Sequence, residues 1–355
     1  MKCLKVNSLL LVLGLFLLAN NGYSGNRKKV KTDFAKTFEK SVAINPNAKV
    51  ELSNQFGKIH ITSGSTNQVE LKVEITVEAS DETKAQKKLD QITIQWEASE
   101  ELVKARTSIG GRGNQNVEKL EINYTVALPK TAELKVENKF GSVYLNEMVG
   151  KTVIDLSYGS LQAGELRSSE SSIELAFGKA DIELFNGKKL DIEYAEGVSI
   201  TRANNLKVDS RFSKLTIEEL NDLNIDSQYD QVKLGTCRSV KADNQFSHLK
   251  IQYLGSELLA DHRYGSLKVL MINKEFTAIK VDSDFSNVDL SFASGSGMTM
   301  DIDIAFGNMD CPNSWNVQME QDDNKLSKEF KGSVGGGGGS LIVDLSYGKL
   351  ELNEV

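Results

Sequence analysis

Ten carboxylates recur at one place in a repeating pattern, each three residues before an aromatic: Asp155, Glu174, Asp191, Asp209, Asp226, Asp243, Asp261, Asp282, Asp303 and Asp344. A row of acids can do one of two things. It can supply oxygens to a hard divalent cation such as Ca²⁺, which takes about six or more of them, and on that reading Asp209, Asp226, Asp243, Asp261 and Asp282 are the candidate ligands. It can instead be neutralised side chain by side chain. Lys189, Lys207, Lys241 and Lys280 stand two residues before the acids, and Arg211 and Arg263 two residues after. That supply of cations favours a lattice of exposed ion pairs, each individually weak. The Gly-rich nonapeptide that binds Ca²⁺ in other β-rolls is absent. Beyond Ca²⁺, no cofactor is indicated.

A second charged row runs on the other half of the repeat. Lys233, Lys250 and Lys268 each lie four residues after an aromatic in three consecutive copies. They form a candidate binding face for an acidic glycan or surface polymer, although a charge run more often marks only a solvated face. Catalytic constellations are not visible. His60, His248 and His262 fall at three different places in the repeat, so no metal cluster is indicated. Ser and Asp are too abundant for any Ser-His-Asp assignment to be more than arbitrary. Gly110-Gly111-Arg112-Gly113 does not lead from a strand into a helix, so it is not a phosphate cradle. Cys237 and Cys311 lie four copies apart, roughly 19 Å at the strand spacing, too far for a disulfide, which needs Cα atoms within about 7 Å. Two buried free thiols are expected.

The element that positions these residues is the repeat itself. Its aromatics are Phe56, Phe140, Tyr158, Phe177, Tyr194, Phe212, Tyr229, Phe246, Tyr264, Phe285, Phe306 and Tyr347, and from Phe140 to Tyr264 consecutive ones lie 17 to 19 residues apart. Counting from the aromatic, apolar residues recur at −6, −4, 0, +3 and +5, as in Leu223, Ile225, Tyr229, Val232 and Leu234. Period two on each side means two strands, each with one inward face. The change of parity after the aromatic, where Gly or Ser is common, marks a bulge or corner. These spacings predict an all-β fold: a repeat β-solenoid with two strands per coil of about 17–21 residues, like residues stacked about 4.8 Å apart and the aromatic column inside. The inward column at −2, with Ser210, Ser227, Asn244, His262 and Ser283, is expected to hydrogen-bond along the stack.

Between Phe56 and Phe140 the pattern differs. Val69–Val77 alternates as a strand, Ser80-Asp81-Glu82 opens a short helix near 81–91 with Ala85, Leu89 and Ile92 on one face, and strands are expected at 92–97, 102–107 and 119–127. Residues 25–128 therefore read as an N-terminal β-rich cap, residues 129–311 as the repeats, 312–340 as a flexible Gly-rich excursion, and 341–355 as a final repeat.

The aromatic-Gly/Ser-x-aliphatic-x-aliphatic unit, seen in Phe140-Gly141-Ser142-Val143-Tyr144-Leu145 and Tyr347-Gly348-Lys349-Leu350-Glu351-Leu352, resembles that of exported bacterial proteins described as a "putative adhesin" family with β-strand repeats. The resemblance runs from Phe34 through Leu352. It implies a repeat fold and a surface role, and it supplies no catalytic residues.

The N-terminal stretch agrees with export. Lys2 and Lys5 precede the apolar run Leu9–Ala19, which ends near Gly22-Tyr23-Ser24, so residues 1–24 read as a signal peptide. Eleven apolar residues are too few to span a bilayer, and no membrane span is expected in the mature chain. The formal charge of −7 becomes −9 without Lys2 and Lys5, which argues against nucleic acid. The basic cluster Arg27, Lys28, Lys29 and Lys31 reads as the mature protein's leader. The expected function is that of an exported non-enzymatic protein, in the periplasm, at the cell surface or secreted. Its partner would be a cell-surface polymer, a glycan or an envelope protein. A structural spacer or envelope-sensing component is the alternative. A polysaccharide-active β-solenoid enzyme, which would show acids and bases clustered on irregular loops, fits less well.

Overall fold

In Lys214–Gln228, KLTIEELNDLNIDSQ, two alternating runs bury Leu215 and Ile217 on one side and Leu223 and Ile225 on the other, with Leu220 buried between them, while Lys214, Glu218, Glu219 and Asp226 face outward. The computed structural model describes residues 32–111, 117–315, 317–321, 326–336 and 338–355. The leader at 1–24 and the cluster Arg27, Lys28, Lys29 and Lys31 lie outside the described residues, as do parts of the two Gly-rich runs. The chain divides into two compact units, 1–146 and 147–355, and both are mostly β.

In the second unit, equivalent residues of successive repeats are parallel neighbours. Leu215 lies opposite Val232, Val232 opposite Leu249, and Leu249 opposite Leu267. On the other half of the repeat Leu206, Leu223, Val240, Leu258, Ile279 and Leu341 follow one another. These positions are almost completely buried. A third apolar column, eight residues after the aromatic, carries Leu166, Phe185, Leu220, Cys237 and Leu254, also buried.

The fold-class expectation, a β-solenoid of two strands per coil behind a β-rich cap, is corrected by the structure. The first finding concerns strand number. Through the middle of the unit the two halves fuse, and Lys214–Gln228, Gln231–Gln245 and His248–Arg263 each run unbroken for 15, 15 and 16 residues. Residues such as Leu220 and Leu254 fill the bend, where the pairing slips in register between Cys237 and Ser239 but the strand continues, so no second strand begins there.

The second finding is spatial order. The final repeat by sequence is not last in space: Gly339–Ser346 pairs on one side with Ala278–Asp284 and on the other with Met298–Ala305, both parallel. Third, antiparallel strands enter the sheet. Ser327–Val334 pairs antiparallel with Met298–Ala305, and Val317–Gln321 pairs antiparallel with Ser327–Val334. Within 312–340, expected as a flexible excursion, lies this hairpin, anchored by the buried Trp315 and Phe330. It occupies a long edge that would otherwise offer unpaired amides to another chain.

In the first unit Lys49–Gln55 is flanked by two parallel partners, Leu102–Ile109 and Glu133–Lys139. Ile59–Gly64 likewise lies between Lys119–Pro129 and Val143–Met148. Within this unit, repeat-type strands are thus interleaved with the intervening ones. Antiparallel strands Thr32–Ala43, Gln68–Ala79 and Lys119–Pro129 extend this arrangement. Glu82–Asp90 is the one helix among the described residues. Asp81 caps it by accepting the Lys84 amide at 3.0 Å, and Ala85 and Leu89 supply its buried face. The fold is therefore a mixed parallel and antiparallel β-sheet architecture with one short helix.

The aromatic column, expected inside, is outside. All twelve aromatics have positive φ, between 49° for Tyr194 and 62° for Phe56. That left-handed turn swings the ring outward and brings the following small residue inward. Its position is consequently occupied by Gly, Ala, Ser or Asp, such as the buried Ala195, Ser213, Asp230, Ser247 and Ser286.

Candidate functional site

Three outward-facing columns and one inward corner hold the residues that could bind something. The acid column is aligned: Asp209, Asp226, Asp243, Asp261 and Asp282 are direct parallel neighbours in that order. The row extends through Asp191, Glu174 and Asp155 at one end and Asp344 and Asp303 at the other. Neutralisation is partial. Lys189 Nζ reaches Asp191 at 2.7 Å and Asp209 at 3.4 Å, Lys207 reaches Asp209 at 3.9 Å, and Arg263 reaches Asp261 at 2.9 Å. Asp226, Asp243 and Asp282 form no ion pair among the described residues. At the far end the Asp303 carboxyl is pushed above its usual range by burial, with Glu329, Asp301 and Asp344 adding repulsion. Among the described residues no group of three or more His, Cys, Asp or Glu side chains is arranged to hold a metal ion. Side chains pointing one way from a flat ladder do not converge on a common centre.

The basic column is aligned as well, with Lys233, Lys250 and Lys268 on neighbouring strands. Lys268 lies 2.5 Å from Asp289, the next residue in the column, and this carboxylate raises its pKa. Lys233 and Lys250 have no ion-pair partner among the described residues. Sequence reasoning missed two further cations on the same outward surface that have no ion-pair partner among the described residues, Lys179 and Lys214, two positions after their aromatics. They lie on either side of Gly197 in the parallel register. Their signal was in the pattern, but Gly197 between them hid the periodicity.

The third column is the aromatic one. In the second unit ten rings stack in the spatial order Tyr158, Phe177, Tyr194, Phe212, Tyr229, Phe246, Tyr264, Phe285, Tyr347 and Phe306. Their centroids are 4.7–5.0 Å apart, with planes within 8° of parallel. Each is 43–52% exposed. Every ring with a neighbour on each side in this row has both faces covered, so the ladder shows solvent mainly ring edges and tyrosine hydroxyls.

Behind the ladder lies a polar interior. Ser210, Ser227, Asn244, His262 and Ser283 are all buried, as the −2 column was expected to be. Asp230 accepts the Ser213 amide at 2.6 Å and the Gln228 amide at 3.1 Å. Burial nevertheless pushes its carboxyl above the usual value near 3.8. The Asn244 amide Nδ2 lies 3.2 Å from His262 Nδ1. Burial disfavours the imidazolium, and repulsion from His248 adds to it, so the His262 pKa falls from 6.5 to about 4. His248 itself is on the surface, hydrogen-bonded to Ser266. Both Cys237 and Cys311 are free, but only Cys237 is buried; Cys311 is half-exposed, which corrects the expectation of two buried thiols. Burial pushes the Cys237 thiol up to about 12, leaving it inert.

No family model matches this chain, and no curated protein matches it. Among solved structures it is similar to a "putative cell adhesion protein" from Clostridium sporogenes, with 13% identity over 90% of this chain and 100% of the other at a TM-score of 0.21. It is also similar to a "putative adhesin" from Parabacteroides distasonis, with 13% identity over 90% and 97% at 0.31. A "putative lipid binding protein" from Parabacteroides distasonis shows 7% identity over 89% and 96%, again at 0.31. Superpositions of this quality carry no argument about what this chain does.

Proposed function

We propose that this chain is an exported, non-enzymatic binding protein of the adhesin kind, whose mature form presents columns of like side chains to an extended partner such as a cell-surface polymer, a glycan or an envelope protein. The observation that carries the reading is the register: acids in one column and aromatic rings in another are each held on many neighbouring strands, and three lysines stand together in a third. A surface repeated every strand spacing of about 4.8 Å suits a partner that is itself long and repetitive, as the extended surfaces of repeat proteins do. A catalytic pocket needs the opposite, a local convergence of unlike groups. Export rests on the leader read from residues 1–24.

The test is binding of the mature chain, residues 25–355, to a glycan array and to envelope fractions, with and without Ca²⁺. Saturable binding that weakens when Lys233 and Lys250 are reversed in charge supports the reading and identifies the face. Reversal at Lys268 would also remove the Asp289 ion pair and is a separate variant. Binding under no condition would sink the adhesin reading and leave a spacer or sensing role. A rise in melting temperature on adding Ca²⁺, abolished by Asp226→Asn with Asp243→Asn, would assign the acid column to cations; no rise would assign it to the ion-pair lattice.

A further inference from the structure

The step from aromatic to core is three residues in its neighbours Phe177 and Phe212 and four at Tyr194. The amides show how the extra residue is accommodated. Ala195 takes the buried place after the ring, with its N–H donated to Ser213 Oγ at 3.0 Å, while Glu196 donates its own N–H to the Gly178 carbonyl at 2.9 Å and points outward. Gly197 then falls in the column that carries Lys179 on the preceding strand and Lys214 on the following one. An added Cβ at Gly197 would meet nothing within 4 Å. The result is a shallow depression of about 400 Å³ beside Gly197, with Lys179, Lys214 and Lys233 around it. That volume lies within the roughly 300–1,000 Å³ of small-molecule sites. A second depression of about 240 Å³ adjoins it, along the ring edges of Tyr194, Phe212 and Tyr229.

The lining has the chemistry of a site for an acidic sugar. None of the three lysines forms an ion pair among the described residues, so all three are available to an anion. Asp181 and Glu196 also line the depression, and carboxylates there accept hydrogen bonds from hydroxyls, which a polyphosphate lacks. Thr216, Ser199 and Gln231 add neutral donors and acceptors. Lys233 lies two residues further along its strand, in the adjacent outward column that continues to Lys250, so a polymer seated in the depression can run on along the strand-stacking direction. We propose that this depression is the subsite at which the chain takes an acidic polysaccharide, the lysines holding its carboxylates and Asp181 and Glu196 its hydroxyls. The proposal rests on the binding function above and names its partner class.

The experiment measures binding of the full mature chain to polygalacturonate, with neutral dextran and dextran sulfate as comparisons. Wild type is expected to bind polygalacturonate saturably and dextran at least tenfold more weakly, with affinity falling as salt rises. Gly197→Leu, which fills the depression without a backbone clash, and the combined Lys179→Glu, Lys214→Glu, Lys233→Glu variant should each lose at least tenfold. Lys241→Glu with Lys280→Glu, on the other half of the repeat, should lose less than twofold. Three results would overturn the proposal. One is equal affinity of wild type and Gly197→Leu. Another is dextran sulfate binding as tightly as polygalacturonate and indifferent to Gly197→Leu, which would mean unspecific attraction to polyanions. The third is undiminished binding to envelope fractions whose sugars have been destroyed by periodate, which would point to a protein partner and leave the broader binding function standing. Absence of binding to every envelope fraction would instead remove the function on which this subsite rests.

Discussion

The two sides of the aromatic corner invert the usual partition of side chains. Outside stand Tyr229, Phe246 and Tyr264, each about half exposed; inside, at the −2 and +1 positions, stand Ser227, Asn244, His262, Asp230 and Ser247, all buried. A few residues further along each strand the ordinary arrangement returns, with Val232, Leu249 and Leu267 fully inside. Hydrophobicity therefore decides the straight parts of the repeat, and backbone geometry decides the corner. At the turn the chain closes so tightly that a Cβ on Gly265 would sit 1.9 Å from the Ser247 carbonyl oxygen. No large side chain can point inward there. The ring is expelled, and polar groups that can satisfy the turn's amides take its place, as Ser247 Oγ does for the Asp230 N–H at 3.1 Å.

The largest expected effect breaks the comparison on its apolar side. Leu249→Ala removes a side chain that is 1% exposed and should cost about 2–5 kcal/mol, as cavity-forming truncations do. Phe246→Ala, only three residues earlier and a larger truncation, should cost less, about 1–3 kcal/mol for two lost stacking partners. Urea unfolding of both variants measures the pair. An equal or greater loss at Phe246 would mean that the ladder, and not the buried columns, holds the repeats together.

The polar interior makes the next prediction. A buried neutral His262 with its pKa near 4 has a folded value below its unfolded one of 6.5. Its contribution is thus intact above pH 6.5 and lost as pH falls towards 4, by about 3 kcal/mol in all. Asp230 works in the opposite sense. Its folded pKa is raised above 3.8 by burial, so it disfavours the fold as pH rises through that raised value and the penalty is relieved on acidification. The stability of His262→Gln should therefore fall less than that of wild type between pH 7 and pH 4. Asp230→Asn should gain on wild type as pH rises over the same range. Parallel stability-against-pH curves for wild type and His262→Gln would show that the corner is open to water.

The straight parts of the repeat were legible because period two is a direct statement about which way side chains point. Leu223, Ile225, Val232 and Leu234 were placed inside on that ground and lie there. The acid column was legible for the same reason, since its parity is opposite. The helix was legible from Asp81 and the spacing of Ala85 and Leu89. The corner was not. Parity carried on from −6 and −4 puts the aromatic inside, and only a left-handed φ reverses it. That conformation is rare for a bulky side chain, and twelve aromatics in a row gave no local hint of it. The order of the last strands was equally hidden, because Leu341 and Val343 match Ile279 and Val281 on one side and Met300 and Ile302 on the other. A repeating register cannot tell the end of a stack from a place within it. The depression at Gly197 follows from the extra residue after Tyr194, whose effect on Lys179 and Lys214 needs the pairing of strands to be seen.

The smallest expected effect separates the two causes acting at the ring. Phe246 has φ of 52°, which costs a side-chain-bearing residue about 1–2 kcal/mol and glycine almost nothing. Glycine in turn pays about 0.5–1 kcal/mol more than alanine in chain entropy on folding. If the left-handed turn is what expels the ring, Phe246→Gly should be more stable than Phe246→Ala by about 0.5–1 kcal/mol, reversing the order found in ordinary strands, and a melting comparison of the two variants reads this directly. Should alanine prove the more stable, the turn would be relaxing to negative φ once the ring is gone. The stacking of Phe246 between Tyr229 and Tyr264, at 4.8 Å on each side, would then be what holds the corner in its strained form, and the ladder would be a cause of the turn rather than its consequence.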